Sequence, residues 1–320
     1  MVLAAVVLVA GGACAPPPRH HAADPGPPPD PAAFSLVTYN VAGLPQEISP
    51  GRPGTNLPVI GRRLDAYDIV ATQEDFDWWA PPLWLLDFAN YHRRLREGLT
   101  HEYVTDAHPG PDGVDLQPPR PVLVGDGLGL ASRFPISDVQ RVPWRGCFGG
   151  PLPDGGSGDC LAMKGFMVAT IQAGSRSFDL YDVHGEAGGA PEDQLLQAQQ
   201  YDDLAAFIEQ HSAGRAVVVV GDTNLRTDPS HPESGGGADA RIWERFTSRL
   251  WLEDACTPAV GCTDADRIDR VAVRGGSGAQ VCVDGYDVPA ARFTDEDGAP
   301  LSDHDPVVVD LRVAEAGRPC

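Results

Sequence analysis

The fold is decided by two stretches of sequence, VVVVGDTN at residues 217–224 and SDHDPVVV at residues 302–309. In each stretch a fully apolar run, which predicts a buried strand, borders a short polar patch. Side chains at such a strand end are held by a rigid sheet and yet face solvent. A carboxylate, an amide and an imidazole placed there predict an α/β protein with metal ligands and a general base at a sheet edge.

Strand and helix patterns alternate over residues 34–313, which predicts one mixed α/β domain. The expected strands cover residues 36–40, 68–72, 127–132, 166–172, 178–183, 216–220, 268–273 and 307–312. The expected helices cover residues 57–67, 192–211 and 240–250. Gly61 weakens the first helix prediction, because glycine is a poor helix former.

The N-terminus carries the features of an export signal over residues 1–14. Its apolar run is too short to span a bilayer, and small residues follow it. The Pro-rich residues 15–33 predict a disordered tether. Cys14 has two readings: it is the lipidated cysteine of a bacterial lipoprotein, or the chain is cleaved nearby and freely secreted. Either way the protein is expected to be exported, and to be secreted or lipid-anchored at the bacterial envelope.

Six further cysteines form an even set, which in an exported chain indicates disulfides. Six cysteines allow 15 pairings. Closeness in sequence favours Cys147–Cys160 and Cys256–Cys262, which leaves Cys282–Cys320 to tie down the tail of residues 314–320. A zinc site is disfavoured, because no Cys-x-x-Cys spacing occurs.

The formal charge is −21, from 45 acidic and 24 basic residues. Proteins that bind nucleic acids carry basic surfaces, so this composition argues against a nucleic acid partner. The densest basic clusters, at residues 62–63 and 93–96, are expected on solvated helix faces. Lys164 is the only lysine.

Three strand ends before residue 200 carry polar residues suited to metal or phosphate chemistry. Asn40 can orient a phosphate or support a metal ligand. Glu74 offers the carboxylate oxygens that hard divalent cations prefer. His184 can donate a hydrogen bond to developing charge. Each residue taken alone has a common structural explanation, such as a turn cap or an ordinary surface acid.

The two C-terminal patches are more specific. The i, i+2 spacing in extended chain places Asp222 and Asn224 on one face. Asp303 beside His304 allows one to bind metal while the other activates water.

Taken in order, these patches resemble the endonuclease/exonuclease/phosphatase superfamily, which includes DNase I-like nucleases, inositol phosphatases and neutral sphingomyelinases. The stretch GLGLASRFPI at residues 127–136 also resembles the central strand of that family. The resemblance covers residues 34–313. The matching residues are Asn40, Glu74, His184, Asp222, Asn224, Asp269, Ser302, Asp303 and His304.

The resemblance implies a four-layer α/β sandwich, with two central mixed β-sheets flanked by helices. It also implies Mg²⁺, with Mn²⁺ or Ca²⁺ as alternatives, at the edge that the sheets share. Glu74 would be the main metal ligand and Asn40 would support it or serve a second metal. Asp303 would either bind metal or steady the neighbouring histidine.

The resemblance also assigns catalytic roles. Asp222 and Asn224 would orient the attacking water and the phosphate. His304 would be the general base, steadied by Asp269 or by Asp303, and whether Asp222 or His304 takes the proton stays open. The remaining catalytic residue, His184, would stabilise the pentavalent phosphate or the leaving oxygen.

Within the superfamily the chain is similar to bacterial sphingomyelinase-type phospholipases C. The similarity lies in TYNVAGLP at residues 38–45, in the cysteines of GC at 146–147 and DC at 159–160, and in KGF at 164–166. Lys164 would contact phosphate or the metal-site carboxylates, or would simply cap a strand. The sequence VHGE at residues 183–186 departs from the Thr-His-Leu of that group.

Three tryptophans near Glu74, at positions 78, 79 and 84, either contact a membrane surface or pack under the helix that follows. The sequence therefore predicts a monomeric, exported, metal-dependent phosphodiesterase that acts on a phospholipid or another phosphodiester, most closely a sphingomyelinase-like phospholipase C. The alternatives are a secreted DNase I-like nuclease, which the negative charge disfavours, and a non-catalytic binding protein. The last is disfavoured because no residue of the site is missing.

Overall fold

The computed structural model describes residues 32–49, 51–78, 85–106, 124–149, 159–262, 266–318 and 320. The export signal, Cys14, the tether up to residue 31, Trp79 and Trp84 lie outside these residues. Among the described helices, none combines the length and apolar character needed to cross a membrane.

The described chain folds into twelve strands and four α-helices. The strands are β1 Ala32–Asn40, β2 Ile69–Gln73, β3 Tyr103–Val104, β4 Gly129–Ser132, β5 Ile136–Pro143, β6 Gly165–Ala173, β7 Arg176–His184, β8 Val217–Asp222, β9 Glu253–Asp254, β10 Asp269–Arg274, β11 Gln280–Asp287 and β12 Val307–Ala314. The helices are α1 Pro53–Leu64, α2 Tyr91–Arg96, α3 Pro191–His211 and α4 Ala238–Leu250.

The strands form two six-stranded sheets, with orders β11-β12-β1-β2-β4-β3 and β5-β6-β7-β8-β10-β9. Both sheets are mixed, because β1 and β2 run parallel in the first and β7 and β8 run parallel in the second. Apolar side chains of α1 and α2 pack on the outer face of the first sheet, and those of α3 and α4 pack on the second. The four-layer sandwich expected from the sequence is confirmed.

The valine run of β8 shows why such strands are apolar throughout. Val218 and Val220 point into the core between the two sheets, whereas Val217 and Val219 point outward into the core beneath α3 and α4. Successive strand residues face opposite sides, so a strand buried on both sides needs apolar residues at every position.

All eight expected strands and all three expected helices are present, with ends shifted by a few residues. β1 begins at Ala32, so the ordered sheet starts two residues before the expected domain boundary at residue 34. Four strands were not expected, namely β3, β5, β9 and β11. β3 and β9 have two residues each, and β5 and β11 are sheet-edge strands with irregular register, so their sequences lack a regular apolar alternation.

The three disulfides of the structure are the pairs favoured by sequence spacing. Cys282 lies in β11, so its bond to Cys320 ties the C-terminal tail to the edge of the first sheet.

The basic cluster at residues 93–96 lies on α2, a helix that was not among the expected elements. Arg93 is solvated as expected, with 64% of its side chain exposed. The expectation is wrong for Arg96, whose side chain is only 15% exposed and lies 3.2 Å from the buried carboxylate of Asp75.

Gly61 lies inside α1 because the helix passes very close to the chain at the end of α2. A Cβ atom at this position would lie 2.1 Å from the backbone oxygen of Leu95. We therefore expect Gly61→Ala to destabilise the protein by about 1–3 kcal/mol through overpacking, although alanine is the better helix former. Urea unfolding measures this difference.

The control is Gly278→Ala, since a Cβ atom there would meet nothing within 4 Å. It is expected to leave the unfolding midpoint nearly unchanged. Equal stability of the two variants would show that the backbone of α1 at Gly61 does not approach Leu95 this closely.

Candidate active site

In the first sheet, strand directions bring three polar segments to one end. β1 and β2 are parallel and place Asn40 opposite Gln73, so Glu74 follows at the same end. β12 runs antiparallel to β1, with Thr38 opposite Val307, so the segment before β12 also reaches this end.

The strands of the second sheet likewise bring polar residues to one end. His184 at the end of β7 lies opposite Asp222 at the end of the parallel strand β8. Asp269 begins the antiparallel strand β10 and also pairs with Asp222. Three functional side chains therefore lie in a row across three adjacent strands.

Asn40 joins the two rows. Its Nδ2 atom donates hydrogen bonds to Oε1 of Glu74 and to Oδ2 of Asp222, both at 3.0 Å. Its Oδ1 atom accepts the N–H of Ala42 at 3.1 Å. The side chain is fully buried, so it serves as a fixed bridge between the sheets.

Glu74 has an unusual backbone, with φ of 55°. Its carbonyl accepts a hydrogen bond of 3.1 Å from the N–H of Gly43. Only glycine fits at position 43, because a Cβ atom would lie 2.2 Å from that carbonyl oxygen. Burial raises the pKa of the Glu74 carboxyl, although the hydrogen bond from Asn40 and the charge of Lys164 act in the opposite direction.

His304 forms a dyad with Asp269. Its Nδ1 atom lies 2.8 Å from Oδ2 of Asp269, and its Nε2 atom lies 3.7 Å from Oδ2 of Asp222. Burial alone would lower the pKa of His304, but the carboxylates of Asp269 and Asp222 outweigh it and raise the pKa to about 11. The dyad fixes the ring with Nε2 turned toward Asp222.

Asp222 and Asn224 are linked directly. Oδ1 of Asp222 accepts the backbone N–H of Asn224 at 3.0 Å, and Nδ2 of Asn224 donates to the carbonyl of Gly185 at 3.1 Å. Asn224 has φ of 51°, a conformation that asparagine tolerates better than most residues. The expected pair is brought together, through a turn at the end of β8.

His184 is buried, with its Nε2 atom 3.5 Å from Oδ2 of Asp222 and 4.0 Å from Oε1 of Glu74. Burial lowers its pKa well below the ordinary value, and the positive charges of Lys164 and His304 add to this effect. The ring is therefore neutral at physiological pH and one of its nitrogens can donate a hydrogen bond.

Lys164 lies beside these residues and is buried. Its Nζ atom forms an ion pair with Asp159 and donates to the carbonyl of Gly185 at 3.2 Å. Asn224 donates to the same carbonyl, so one peptide group links the only lysine to a residue of the site.

Glu186 is a buried acid of this region to which the sequence reasoning gave no role. It is 1% exposed, and its carboxyl accepts hydrogen bonds from the backbone N–H of Phe148 and, at 3.3 Å, from Nε2 of Gln200. Burial and the neighbouring carboxylate of Asp159 raise its pKa to about 8. The sequence feature that could have pointed to Glu186 is its position two residues after His184.

Asp303 stands apart from the other acids. It is exposed, and its described hydrogen bond is with the hydroxyl of Ser302 at 3.3 Å. It lines the rim of a polar cleft of about 580 Å³ that also contains Asn224, Asp269 and His304. The cleft leaves 15% of the His304 side chain exposed to solvent.

The cluster has the composition of a divalent metal site. One ligand atom each from Asp222, Asp269 and His304 lies within 4.8 Å of the others. Oδ1 of Asp269 is buried and has no hydrogen-bond partner among the described residues. Crowded carboxylates with an unsatisfied oxygen suit a hard cation, which takes oxygen ligands and offsets their repulsion. With Glu74 beside them, the residues fit the metal that the sequence implied.

Trp78 is buried and packs edge-to-face on Phe88, with ring centroids 4.7 Å apart. Of the two readings for the tryptophans, packing is therefore correct for Trp78. Trp79 and Trp84 lie outside the described residues.

Comparison with known sequences finds one family over most of the chain. The pattern of the Endonuclease/Exonuclease/phosphatase family matches residues 37–304. The chain is also 30% identical over 289 residues to proteins named sphingomyelinase from Mycobacterium tuberculosis and Mycobacterium bovis. The alignment covers 86% of this chain but 52% of those relatives, so the chain spans about half their length.

Solved structures of similar fold include the beta toxin of Staphylococcus aureus, with a TM-score of 0.61 and 17% identity over 86% of this chain and 99% of the toxin. A variant of that toxin with bound magnesium ions has a TM-score of 0.59, 15% identity and coverage of 88% and 100%. Sphingomyelinase C from Streptomyces griseocarneus has a TM-score of 0.56, 18% identity and coverage of 87% and 99%.

Proposed function

Since the chain belongs to the endonuclease/exonuclease/phosphatase family, we propose that it is an exported, metal-dependent phosphodiesterase, a sphingomyelinase-like phospholipase C. The observation that carries the proposal is the convergence of Asn40, Glu74 and His304 from the first sheet with Asp222 and Asp269 from the second. Water attack on a phosphodiester needs a metal site, a base and donors for the phosphate within one small volume, and this set contains all three.

The metal would be held by Glu74, with Asn40 in support and with the carboxylates of Asp222 and Asp269 nearby. Asp303, the further ligand expected from the sequence, stands apart, and its described hydrogen bond is with Ser302. Mg²⁺ is the proposed ion, with Mn²⁺ or Ca²⁺ as alternatives. The bound ion would supply positive charge that stabilises the negative charge on the phosphate oxygens and on the departing oxygen. Crystals of a structurally similar toxin contain magnesium ions, which supports this choice.

The protein residues would carry the proton and orient the substrate. His304, held by Asp269, would accept the proton of the attacking water through Nε2 once a bound cation offsets the charges of Asp222 and Asp269 that raise its pKa. Asp222 lies 3.7 Å from that nitrogen and would orient the same water for in-line attack. One N–H of the Asn224 side-chain amide donates to Gly185, and the second would donate to the phosphate.

His184 would act on the developing negative charge. A neutral, buried imidazole donates a hydrogen bond without the desolvation penalty that a charged ring incurs. Its low pKa keeps it neutral in the working pH range. Lys164 would support Asn224 through Gly185, and its charge adds to the positive potential at Glu74.

Two observations support a phospholipid substrate over a nucleic acid. The formal charge of −21 opposes binding of a polyanion. Leu85 and Leu86, with 91% and 46% of their surfaces exposed, offer apolar contact to a lipid surface. The disulfides support export to an oxidising compartment.

The test uses oxidised, purified protein with sphingomyelin and phosphatidylcholine vesicles and, in parallel, plasmid DNA. We expect release of phosphocholine with Mg²⁺, and loss of this activity with EDTA and in Glu74→Gln. The activity is also expected to change little between low and moderate salt.

Other outcomes would each contradict part of the proposal. Plasmid nicking that falls steeply with salt, without lipid hydrolysis, would identify a nuclease. Absence of both activities together with absence of Mg²⁺ binding would contradict the proposed enzyme and favour the non-catalytic alternative.

A further inference from the structure

We propose that Asp75, His92 and Arg96 form a clamp that positions the backbone of Glu74 for metal binding. The inference rests on the proposed function, in which Glu74 is the main metal ligand. The three residues are positioning residues, because Asp75 is buried beneath the site and cannot contact a substrate.

The backbone of Glu74 needs external support. Its φ of 55° lies in the left-handed region, which a glutamate adopts at a cost of about 1 kcal/mol or more. Such a conformation persists only where neighbouring groups hold it. The carboxylate direction depends on this conformation, because the side chain would leave the backbone toward another side in an ordinary extended strand.

The chain on either side of Glu74 is fixed by backbone hydrogen bonds. The Glu74 carbonyl accepts the N–H of Gly43 at 3.1 Å. The next N–H, that of Asp75, donates to the carbonyl of Gly127 at 2.9 Å. The second bond ties the backbone of Asp75, and with it the chain that follows Glu74, to the segment that leads into β4.

The side chain of Asp75 is held by three groups. Oδ1 lies 2.9 Å from Nδ1 of His92, and Oδ2 lies 3.2 Å from Nη2 of Arg96. The hydroxyl of Thr72, at the end of β2, donates to Oδ2 at 3.3 Å. A fully buried carboxylate with these partners has one stable position, since moving it would leave buried charges unpaired.

Two of these partners, His92 and Arg96, belong to α2, a helix of six residues. His92 and Arg96 are four residues apart and therefore lie on one helix face, turned toward Asp75. Gly129 leaves space for this contact, because a Cβ atom there would lie 2.2 Å from Nη2 of Arg96. The packing of α2 is thus coupled to the conformation of Glu74.

The experiment measures Mg²⁺ binding by isothermal titration calorimetry, independent of any substrate. For Asp75→Asn we expect the dissociation constant to rise about 10- to 100-fold, the range typical for partners that orient metal ligands. For His92→Gln, which keeps the ion pair with Arg96, we expect a smaller rise. High Mg²⁺ should restore kcat in both variants, because the catalytic residues are unchanged.

The matched control is Asp179→Asn. Asp179 is also fully buried and paired with an arginine, through bonds of 2.6 and 2.7 Å to Arg215, but it lies five residues before His184 along β7. Its loss should lower the melting temperature while the Mg²⁺ dissociation constant stays within about twofold of wild type.

Two results would overturn the inference. A folded Asp75→Asn protein with the Mg²⁺ affinity of wild type would show that Asp75 does not position Glu74. Should that variant fail to fold, an unchanged affinity in His92→Gln would show the same. Absence of Mg²⁺ binding in wild type would instead contradict the proposed function itself, and with it the premise of the clamp.

Discussion

Replacing His304 with alanine is expected to lower kcat for phosphodiester hydrolysis by about 10²- to 10⁴-fold, the usual contribution of a general base. The ring is fixed by its 2.8 Å contact with Asp269, and Nε2 faces Asp222 across 3.7 Å. KM should change little, because the lost interaction is made in the transition state.

Asp269→Asn separates positioning from proton transfer. It retains the imidazole but removes the carboxylate that fixes the ring and contributes to raising the pKa of His304 to about 11. We expect a smaller fall in kcat than in His304→Ala, together with a pH profile shifted toward lower pH, because the histidine loses its proton more easily.

Mg²⁺ titration decides between two roles for His304. The atoms of Asp222, Asp269 and His304 lie close enough to share one metal. A fall in kcat with unchanged Mg²⁺ affinity would support the base. A parallel loss of affinity would make His304 a metal ligand, and turnover near wild type would rule out both roles.

The polar residues at the strand ends predicted the site because the geometry of a sheet determines which strand ends lie together. Asn40, His184 and Asp222 each end an apolar strand, and parallel strands carry their ends to one side. Asp269 begins an antiparallel strand, His304 lies just before another, and both arrive at the same side. Residue order and strand direction therefore determine which side chains of one sheet reach the same end.

The supporting residues could not be predicted in the same way. Asp75 and Arg96 are 21 positions apart, and their contact depends on the packing of a short helix that no periodic pattern announces. Apart from its position after His184, Glu186 carries no feature in the sequence that separates it from the many other acidic residues. Its importance depends on burial, which arises only when α3 and the segment at Phe148 pack around it.

Lys164 is an intermediate case, because the sequence singled it out but did not determine its contacts. Its uniqueness drew attention to it, but sequence left phosphate contact and strand capping equally open. The structure holds its Nζ atom between Asp159 and the carbonyl of Gly185, which is 21 positions away, and spacing does not encode that contact.

A Glu186→Gln variant is expected to remove a pH dependence of stability that wild type shows between about pH 5 and 8. The carboxyl is 1% exposed and lies beside Asp159, which together raise its pKa from 4.5 to about 8. Between these values the folded state holds a proton that the unfolded state has released. Stability contributed by this group is therefore complete below pH 4.5 and is lost as pH rises through about 8.

The expected loss is at most about 1.4 kcal/mol per pH unit, or roughly 4 kcal/mol from pH 5 to 8. Urea unfolding of the oxidised protein at several pH values measures the slope for wild type and for Glu186→Gln. The slope is informative even if the glutamine changes the absolute stability, because a constant offset does not alter it. Glu192→Gln, which removes an exposed carboxylate at the start of α3, is the control.

A buried acid that lowers stability at neutral pH calls for a compensating role, and the contacts of Glu186 provide one. Its side chain holds the N–H of Phe148, next to Cys147, while its own N–H donates to Gln200 at 2.9 Å. The peptide group that precedes it carries the Gly185 carbonyl on which Lys164 and Asn224 converge. Equal slopes in wild type and Glu186→Gln would show that this carboxyl is already ionised, and the coupling between the disulfide loop and the site would then rest on a charged group.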